Sequence, residues 1–152
     1  MYKVLNIEGK EYHLEYSIEA SLYADCVSSL TSLMVEIETA SSEKNIKDVL
    51  KGVSNIPQTA LVLFYAGLME AHGDHSDGDG TVRSMQDAKH ILSAYLKEHK
   101  DDGTGNFYSV LEMCIQQMTE DDFFNLVGLS AMIAQKSKTR KMPQDHKRPS
   151  EK

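Results

Sequence analysis

The side chains best suited to chemistry are imidazoles and carboxylates in one short stretch: His72, Asp74, His75, Asp77 and Asp79. Such groups are ligands for divalent cations. Counted from Asp77, however, an EF-hand loop would place Thr81 and Ala88 at ligand positions five and twelve. No H-x-x-x-H pair is present to preorganise zinc. We therefore expect a solvated acidic loop here and no metal site.

A glycine-containing loop, Asp101 to Asn106 (DDGTGN), is the second candidate. Phosphate-binding loops combine glycines with a following lysine, and this loop has none. Its own carboxylates would repel a phosphate. We therefore expect neither a nucleotide nor any other cofactor.

Catalytic groupings are equally scarce. No G-x-S-x-G motif occurs, and the six histidines fall mostly on polar faces or in loops: His13, His72, His75, His90, His99 and His146. No acid, base and nucleophile converge in the pattern, so we do not infer an enzyme.

The two cysteines, Cys26 and Cys114, match no metal or redox spacing. We expect two small buried side chains in a reducing cytosol. The N-terminal stretch MYKVLNIEGKEYHL lacks the apolar region and cleavage site of a secretory signal, which also favours a cytoplasmic protein.

Charge is unevenly distributed. The chain carries a net charge of −7, but residues 136–152 hold seven Lys and Arg against two acids, and the preceding 135 residues carry −12. An acidic body disfavours nucleic-acid binding. If the basic tail binds DNA, that binding should be salt-sensitive and lost on truncation at Lys136. We otherwise expect the tail to be a solvated, flexible end.

The elements that must position any site are organised around a predicted core helix, residues 57–72. Its run from Ala60 to Met69 carries no charge, Pro57 suits a first helical turn, and Gly73 suits the end. A membrane span needs about 20 apolar residues, so we expect a buried helix of a soluble domain.

Smaller features define this helix further. Ser54 or Asn55 is expected to cap its N-terminus. Gly67 inside it costs about 1 kcal/mol relative to alanine, which suggests that another backbone crosses closely there.

Residues 2–15 alternate as a β-hairpin, with Lys3, Leu5 and Ile7 on one face and the connection at Glu8 to Lys10. A lone hairpin is marginal in water. It must dock on the helices or pair with a strand of another chain, and the unpaired edge suggests self-association.

Two helices are predicted before the core helix. Ser17 caps a long one, whose inward face is spaced at helical intervals: Ile18, Leu22, Cys26, Leu30, Leu33 and Ile37. Thr39 to Ser42 is expected to break it. Ser42 then caps a short helix from Glu43 to Lys51, which Gly52 ends.

Three helices are predicted after the core helix. Ser84 caps residues 85–100, and Asn106 caps residues 107–118, where Phe107 points inward. Thr119 caps the last helix, whose apolar side chains cover more than one stripe. On periodicity alone, we predict four of them as client or self-contact residues: Phe123, Phe124, Val127 and Met132.

Together these patterns predict an α+β fold that is mostly α. An N-terminal hairpin precedes five to six helices packed around the helix 57–72. We expect one domain over residues 1–135 and a basic tail over residues 136–152.

Three segments resemble the tail assembly chaperones of long, non-contractile-tailed phages and prophages of Gram-positive bacteria. They are Gly9–Tyr12 leading into Leu14–Ala20, Ile56–Thr59 with Phe64–Leu68, and Asp101–Tyr108. They span most of residues 2–128, and none is a catalytic signature.

The resemblance implies a non-enzymatic protein of the host bacterial cytoplasm that coats the tape measure protein and recruits tail tube subunits. It also implies absence from the finished virion and, in many members, a longer frameshifted product. A client-coating role suits a homo-oligomer. The competing expectation is a structural tube or connector subunit, and a nucleic-acid-binding regulator acting through the basic tail is a third.

Overall fold

The computed structural model describes residues 1–43 and 46–131, and side chains within residues 1–33 and 55–131. The basic tail and Met132 lie outside these residues. Two strands and six helices make up the described chain: β1 (Lys3–Ile7), β2 (Lys10–Leu14), α1 (Ile18–Leu22), α2 (Ala24–Glu43), α3 (Ile46–His72), α4 (Met85–Glu98), α5 (Phe107–Glu120) and α6 (Phe123–Leu126). A further helical stretch begins at residue 129. The predicted mostly helical α+β fold with an N-terminal hairpin is confirmed.

β1 and β2 form the predicted antiparallel hairpin, with Ile7 opposite Lys10. Glu8 and Gly9 form the two-residue turn, with φ values of 50° and 76°. Positive φ at both positions is typical of a type I′ turn, which matches the twist of the strands. The Glu8 amide donates to Glu98 Oε2 at 2.9 Å, which helps to hold this non-glycine residue in a left-handed conformation.

The hairpin docks on the helices of its own chain, which was the first of the two predicted ways to stabilise it. His13 and Glu15 direct their amides away from β1, and α3 accepts both. His13 N–H donates to His72 Nε2 at 2.9 Å, and Glu15 N–H donates to the Gly67 carbonyl at 2.8 Å. On the opposite edge, the strand pattern turns the amides of Val4 and Asn6 outward, where they have no partner among the described residues.

The predicted start of the central helix at residue 57 is wrong. α3 is one helix from Ile46 to His72, with Pro57 in its interior. The predicted short helix 43–51 is therefore not a separate element: Glu43 ends α2, residues 46–51 are the first part of α3, and Gly52 does not end it. Ser54 and Asn55 are likewise helical, not caps. Proline removes a single donor, a local loss that the burial of the following turns can outweigh.

The predicted long helix after Ser17 is interrupted at Tyr23, where the backbone becomes extended. Because the helical phase is not continued across this break, Ile18 and Leu22 face solvent rather than the core. Cys26, Leu30 and Leu33 are buried as predicted.

Two local predictions around these helices also fail. Ser17 makes no capping bond, and its hydroxyl donates to Glu70 instead. Residues 39–42 continue α2 rather than breaking it, so the predicted capping position at Ser42 lies inside that helix.

The caps of the later helices are confirmed. Ser84 Oγ accepts from the Asp87 amide at 3.3 Å, and Asn106 Oδ1 accepts from the Ser109 amide at 2.8 Å. Phe107, in contrast, is exposed rather than inward, because it lies in the first turn, before α5 enters the core.

The predicted last helix does not begin at Thr119, which still belongs to α5 and donates its hydroxyl to the Ile115 carbonyl at 3.0 Å. Asp122 adopts a φ of 58° and precedes α6, and Gly128, with a φ of 81°, follows it. These two left-handed residues reduce the element to four residues and re-orient its apolar side chains.

The core is built around the apolar half of α3. Leu63, Phe64, Ala66 and Leu68 are fully buried there, and Tyr16 donates its hydroxyl to the Leu63 carbonyl at 2.6 Å. Both cysteines are also buried, as predicted; burial raises the pKa of Cys26 and of Cys114 to about 12, so neither is a ready thiolate.

Gly67 is the point of closest approach in this core. A β-carbon there would lie 2.4 Å from Leu14 Cδ1 and 2.8 Å from the Tyr16 ring. The neighbours are two side chains together with the backbone of Glu15, so the close crossing suggested by the glycine is confirmed.

We predict that Gly67→Ala destabilises the protein. Overpacking costs about 1–3 kcal/mol, while alanine recovers up to about 1 kcal/mol of helix propensity. Because the new β-carbon would lie under 3 Å from two buried side chains, the overpacking cost should fall in the upper part of this range, at about 2–3 kcal/mol. The net loss should therefore be about 1–2 kcal/mol in the free energy of urea-induced unfolding. Ser93→Ala, on the exposed face of α4, is the control and should be neutral or slightly stabilising. A Gly67→Ala protein as stable as the parent would contradict the close packing.

Candidate functional site

His72, the most buried member of the predicted His/Asp loop, is 5% exposed. Its Nδ1 lies 3.0 Å from Asp79 Oδ2, and its Nε2 accepts the His13 amide at 2.9 Å. Since Nε2 is an acceptor, the proton sits on Nδ1 and is donated to Asp79. Both nitrogens are thus engaged, and His72 is a structural link between the end of α3 and β2 rather than a free base or ligand.

His75 likewise binds the loop to α3. His75 Nε2 lies 2.7 Å from the Met69 carbonyl. This bond, with the nearby carboxylates of Glu19, Glu70 and Asp77, raises the pKa of His75. Across the described part of the chain, no three His, Cys, Asp or Glu side chains are grouped as a metal site.

Asp79 closes the loop. Burial alone would raise the pKa of this carboxyl, but the hydrogen bonds donated by Thr81 and His72 outweigh burial and lower its pKa to about 2. The Thr81 amide lies 2.9 Å from Asp79 Oδ1. Asp79 is therefore a loop-closing anion at neutral pH.

The DDGTGN loop is organised in the same way. Asp102 accepts from the hydroxyl of Thr104, from His99 Nδ1 at 2.7 Å and from the Thr104 amide at 2.9 Å. These bonds lower the pKa of Asp102 to about 2. The carboxylate occupies donors that a phosphate would need, so this geometry does not make an anion site.

The largest aliphatic side chains exposed on the described helices lie on α1 and α6. Ile18 is 62% exposed, Leu22 72% and Leu126 51%. We call these three residues and the depressions beside them the α1–α6 surface. Two open depressions, of 560 and 580 Å³, both include Leu126 in their walls. Between them they connect α1, the start of α2 and α6 into one apolar region with a polar rim.

The carboxylate of Asp121 links the two sides of this surface, α1 and α6. Its side chain is 4% exposed; Oδ2 accepts the Tyr16 amide at 2.9 Å, and Gln117 Nε2 lies 3.1 Å from both oxygens. Tyr16 lies two residues before α1, and Asp121 is the C-cap of α5. The bond therefore holds α1 at a defined position relative to α6.

The predicted contact residues of the last helix differ in how deeply they are buried. Phe123 is fully buried and packs edge-on against Tyr16, with ring centroids 5.6 Å apart, so it is a core residue and not part of the surface. Phe124 and Val127 are half-buried against the core, and Val127 also lines one depression. Their role in binding stays a prediction, as does that of Met132.

Sequence reasoning missed the exposed members of the α1–α6 surface. Ile18 and Leu22 continue the apolar stripe of α2 in sequence, and only the break at Tyr23 turns them outward. Tyr23 carries no proline or glycine signal that would have indicated the break.

Among the described residues, no helix has the length and apolar character needed to cross a bilayer. Comparison with known proteins gives no match: no family model, curated protein or solved structure is significantly similar to this chain.

We predict a pH-dependent role for Asp79. Because its folded pKa is lower than its usual value, its stabilisation should be present above about pH 4 and lost as the pH falls toward 2. Asp79→Asn should therefore be less stable than the parent at pH 7 in urea denaturation, with the difference shrinking at pH 3. Asp77→Asn, exposed in the same loop, is the matched control. A difference independent of pH would contradict the proposed anion.

Proposed function

We propose that this chain is a tail assembly chaperone of a long, non-contractile-tailed phage or prophage. In this role it binds the tape measure protein as a client, keeps it soluble and helps to recruit tail tube subunits. The resemblance of the three segments described above supports the family. One of them contains Gly67, and another contains Leu14 and Tyr16, which pack against it.

The observation that carries the proposal is the α1–α6 surface. Ile18 and Leu126 line one depression, and Leu126 also lines the second. Leu22, the most exposed of the three at 72%, lies one helical turn after Ile18 on α1. Contiguous exposed apolar surface of this kind is typical of protein-binding sites. A groove between helices is a common seat for the apolar face of a client helix.

The chemistry of the remaining surface suits a holdase. Residues 1–135 carry a net charge of −12, which favours solubility of a complex whose client is aggregation-prone. The firm placement of α1 by Asp121 means that binding requires little ordering of the chaperone itself, which lowers the cost of association.

A structural tail subunit is the main competing function. It predicts that the chain is present in purified virions, whereas the chaperone proposal predicts its absence. Mass spectrometry of purified particles separates the two.

We predict that the chain increases the soluble yield of the tape measure protein on co-expression and co-purifies with it. Ile18→Asp combined with Leu22→Asp should reduce co-purified client at least about tenfold, since burying an aliphatic side chain contributes about 1.5–3 kcal/mol. Both residues are exposed, so the variant should fold. Val4→Asp, at an exposed apolar residue of the hairpin, is the control and should bind normally.

A second variant tests the contacts inferred from periodicity. Phe124→Asp with Met132→Asp should also weaken client solubility or self-association. If neither variant changes the soluble yield, or if the client stays insoluble with the parent chain, the chaperone proposal fails and the structural-subunit function becomes the better one.

A further inference from the structure

Lys and Arg side chains are absent from one side of the fold. Residues 11–43 and 101–131 contain no Lys or Arg. These two segments supply most of β2, all of α1, α2, α5 and α6, and hence every element of the α1–α6 surface. In the described chain, the lysines and the arginine lie on the hairpin, at the start of α3 and from Arg83 to Lys100.

Five carboxylates lie on or next to the helices that carry the exposed aliphatic residues. Glu15, Asp121 and Asp122 line the same depression as Ile18 and Leu126. Asp25 is exposed at the start of α2, three residues after Leu22. Glu19 lies on α1, with its carboxylate 3.9 Å from His75 Nδ1. The α-ammonium of Met1 lines the same depression and pairs with Asp121 Oδ1 at 3.1 Å, so Glu15 and Asp122 are the carboxylates there that have no ion-pair partner among the described residues. The apolar region therefore has an acidic rim that contains no Lys or Arg side chain.

The pKa of Glu15 is affected by the negative charges around this depression. Partial burial raises the pKa of the Glu15 carboxyl, and the charges of Glu70 and Asp121 raise it further, against smaller opposing effects of the Met1 α-ammonium and His13. A cation near this depression would relieve that repulsion, whereas an anion would increase it.

We propose that the α1–α6 surface binds an amphipathic helix whose aliphatic stripe is flanked by lysine or arginine. The aliphatic side chains would cover Ile18, Leu22 and Leu126, and the cations would face the rim. This inference deepens the proposed function by naming the chemistry of the client segment, and it uses the same surface.

Two other candidate binding partners fit the α1–α6 surface less well. A second copy of the same surface would oppose one acidic rim to another, which is unfavourable. The chain's own residues 136–152 are basic, but Met142 is their only large aliphatic side chain, so they lack the apolar stripe.

The test uses the full chain and fluorescently labelled synthetic helices, with affinity measured by anisotropy. One peptide of about 18 residues, roughly five turns, carries leucines on one face and flanking lysines. A second has glutamates in place of the lysines. We expect the lysine peptide to bind at least about tenfold more tightly at low salt, as several weak surface ion pairs would give. The preference should shrink in about 1 M salt, where such pairs are screened.

Matched variants assign the effect to this surface. Glu15→Gln, Asp25→Asn and Asp122→Asn together should remove most of the preference for the lysine peptide; asparagine tolerates the left-handed backbone at position 122. Asp74→Asn, Asp101→Asn and Glu112→Gln remove equal charge elsewhere and should leave it unchanged. Ile18→Asp with Leu22→Asp should abolish binding of both peptides.

The proposal is overturned if the lysine and glutamate peptides bind equally or if neither binds. It is also overturned if the two triple variants behave alike, or if a peptide of residues 136–152 binds as tightly as the lysine peptide. These outcomes are separable from failure of the proposed function. Rim-dependent peptide binding without rescue of the tape measure protein would leave this inference standing alone. Rescue that is insensitive to the rim variants would support the chaperone and reject the basic client.

Discussion

The packing of Leu14 and Tyr16 against Gly67 sets the geometry of the whole described fold. Tyr16 reaches across α3 to the Leu63 carbonyl, and only a residue without a side chain at position 67 lets Leu14 and the Tyr16 ring approach so closely. The same tyrosine packs against Phe123 and donates its amide to the Asp121 carboxylate. One residue between β2 and α1 thus joins the hairpin, the central helix and the α5–α6 corner.

Those features of the fold that depend on local chemistry were predictable from sequence. The hairpin follows from alternation and a glycine turn, and the caps at Ser84 and Asn106 follow from side chains that bond their own backbone. The errors have a common origin. Pro57 and Gly52 favour a helix boundary locally, but α3 continues through both. Tyr23 and Asp122 interrupt helices without any breaker residue, because tertiary contacts determine their backbone conformations.

The candidate site was predictable only in part. Its acidic character could be read from composition, and an excess of apolar residues near residue 124 led to predicted contact residues in the same corner of the molecule. Which side chains face out could not be derived, since a change of helix direction at Tyr23 exposes Ile18 and Leu22, while Phe123 becomes core. The role of His72 was equally hidden, because its partners His13 and Asp79 meet only in the folded chain.

The attachment of β2 to α3 has a further consequence for how the hairpin can take part in assemblies. The end of α3 covers β2 at His13 and Glu15, while β1 keeps outward amides at Val4 and Asn6. Within the described chain, the sheet can therefore be extended through β1. If two copies paired there, the merged sheet would have four strands, and each outer edge would be a β2 covered in part by its own α3. Such pairing would end at a dimer instead of propagating into a fibre.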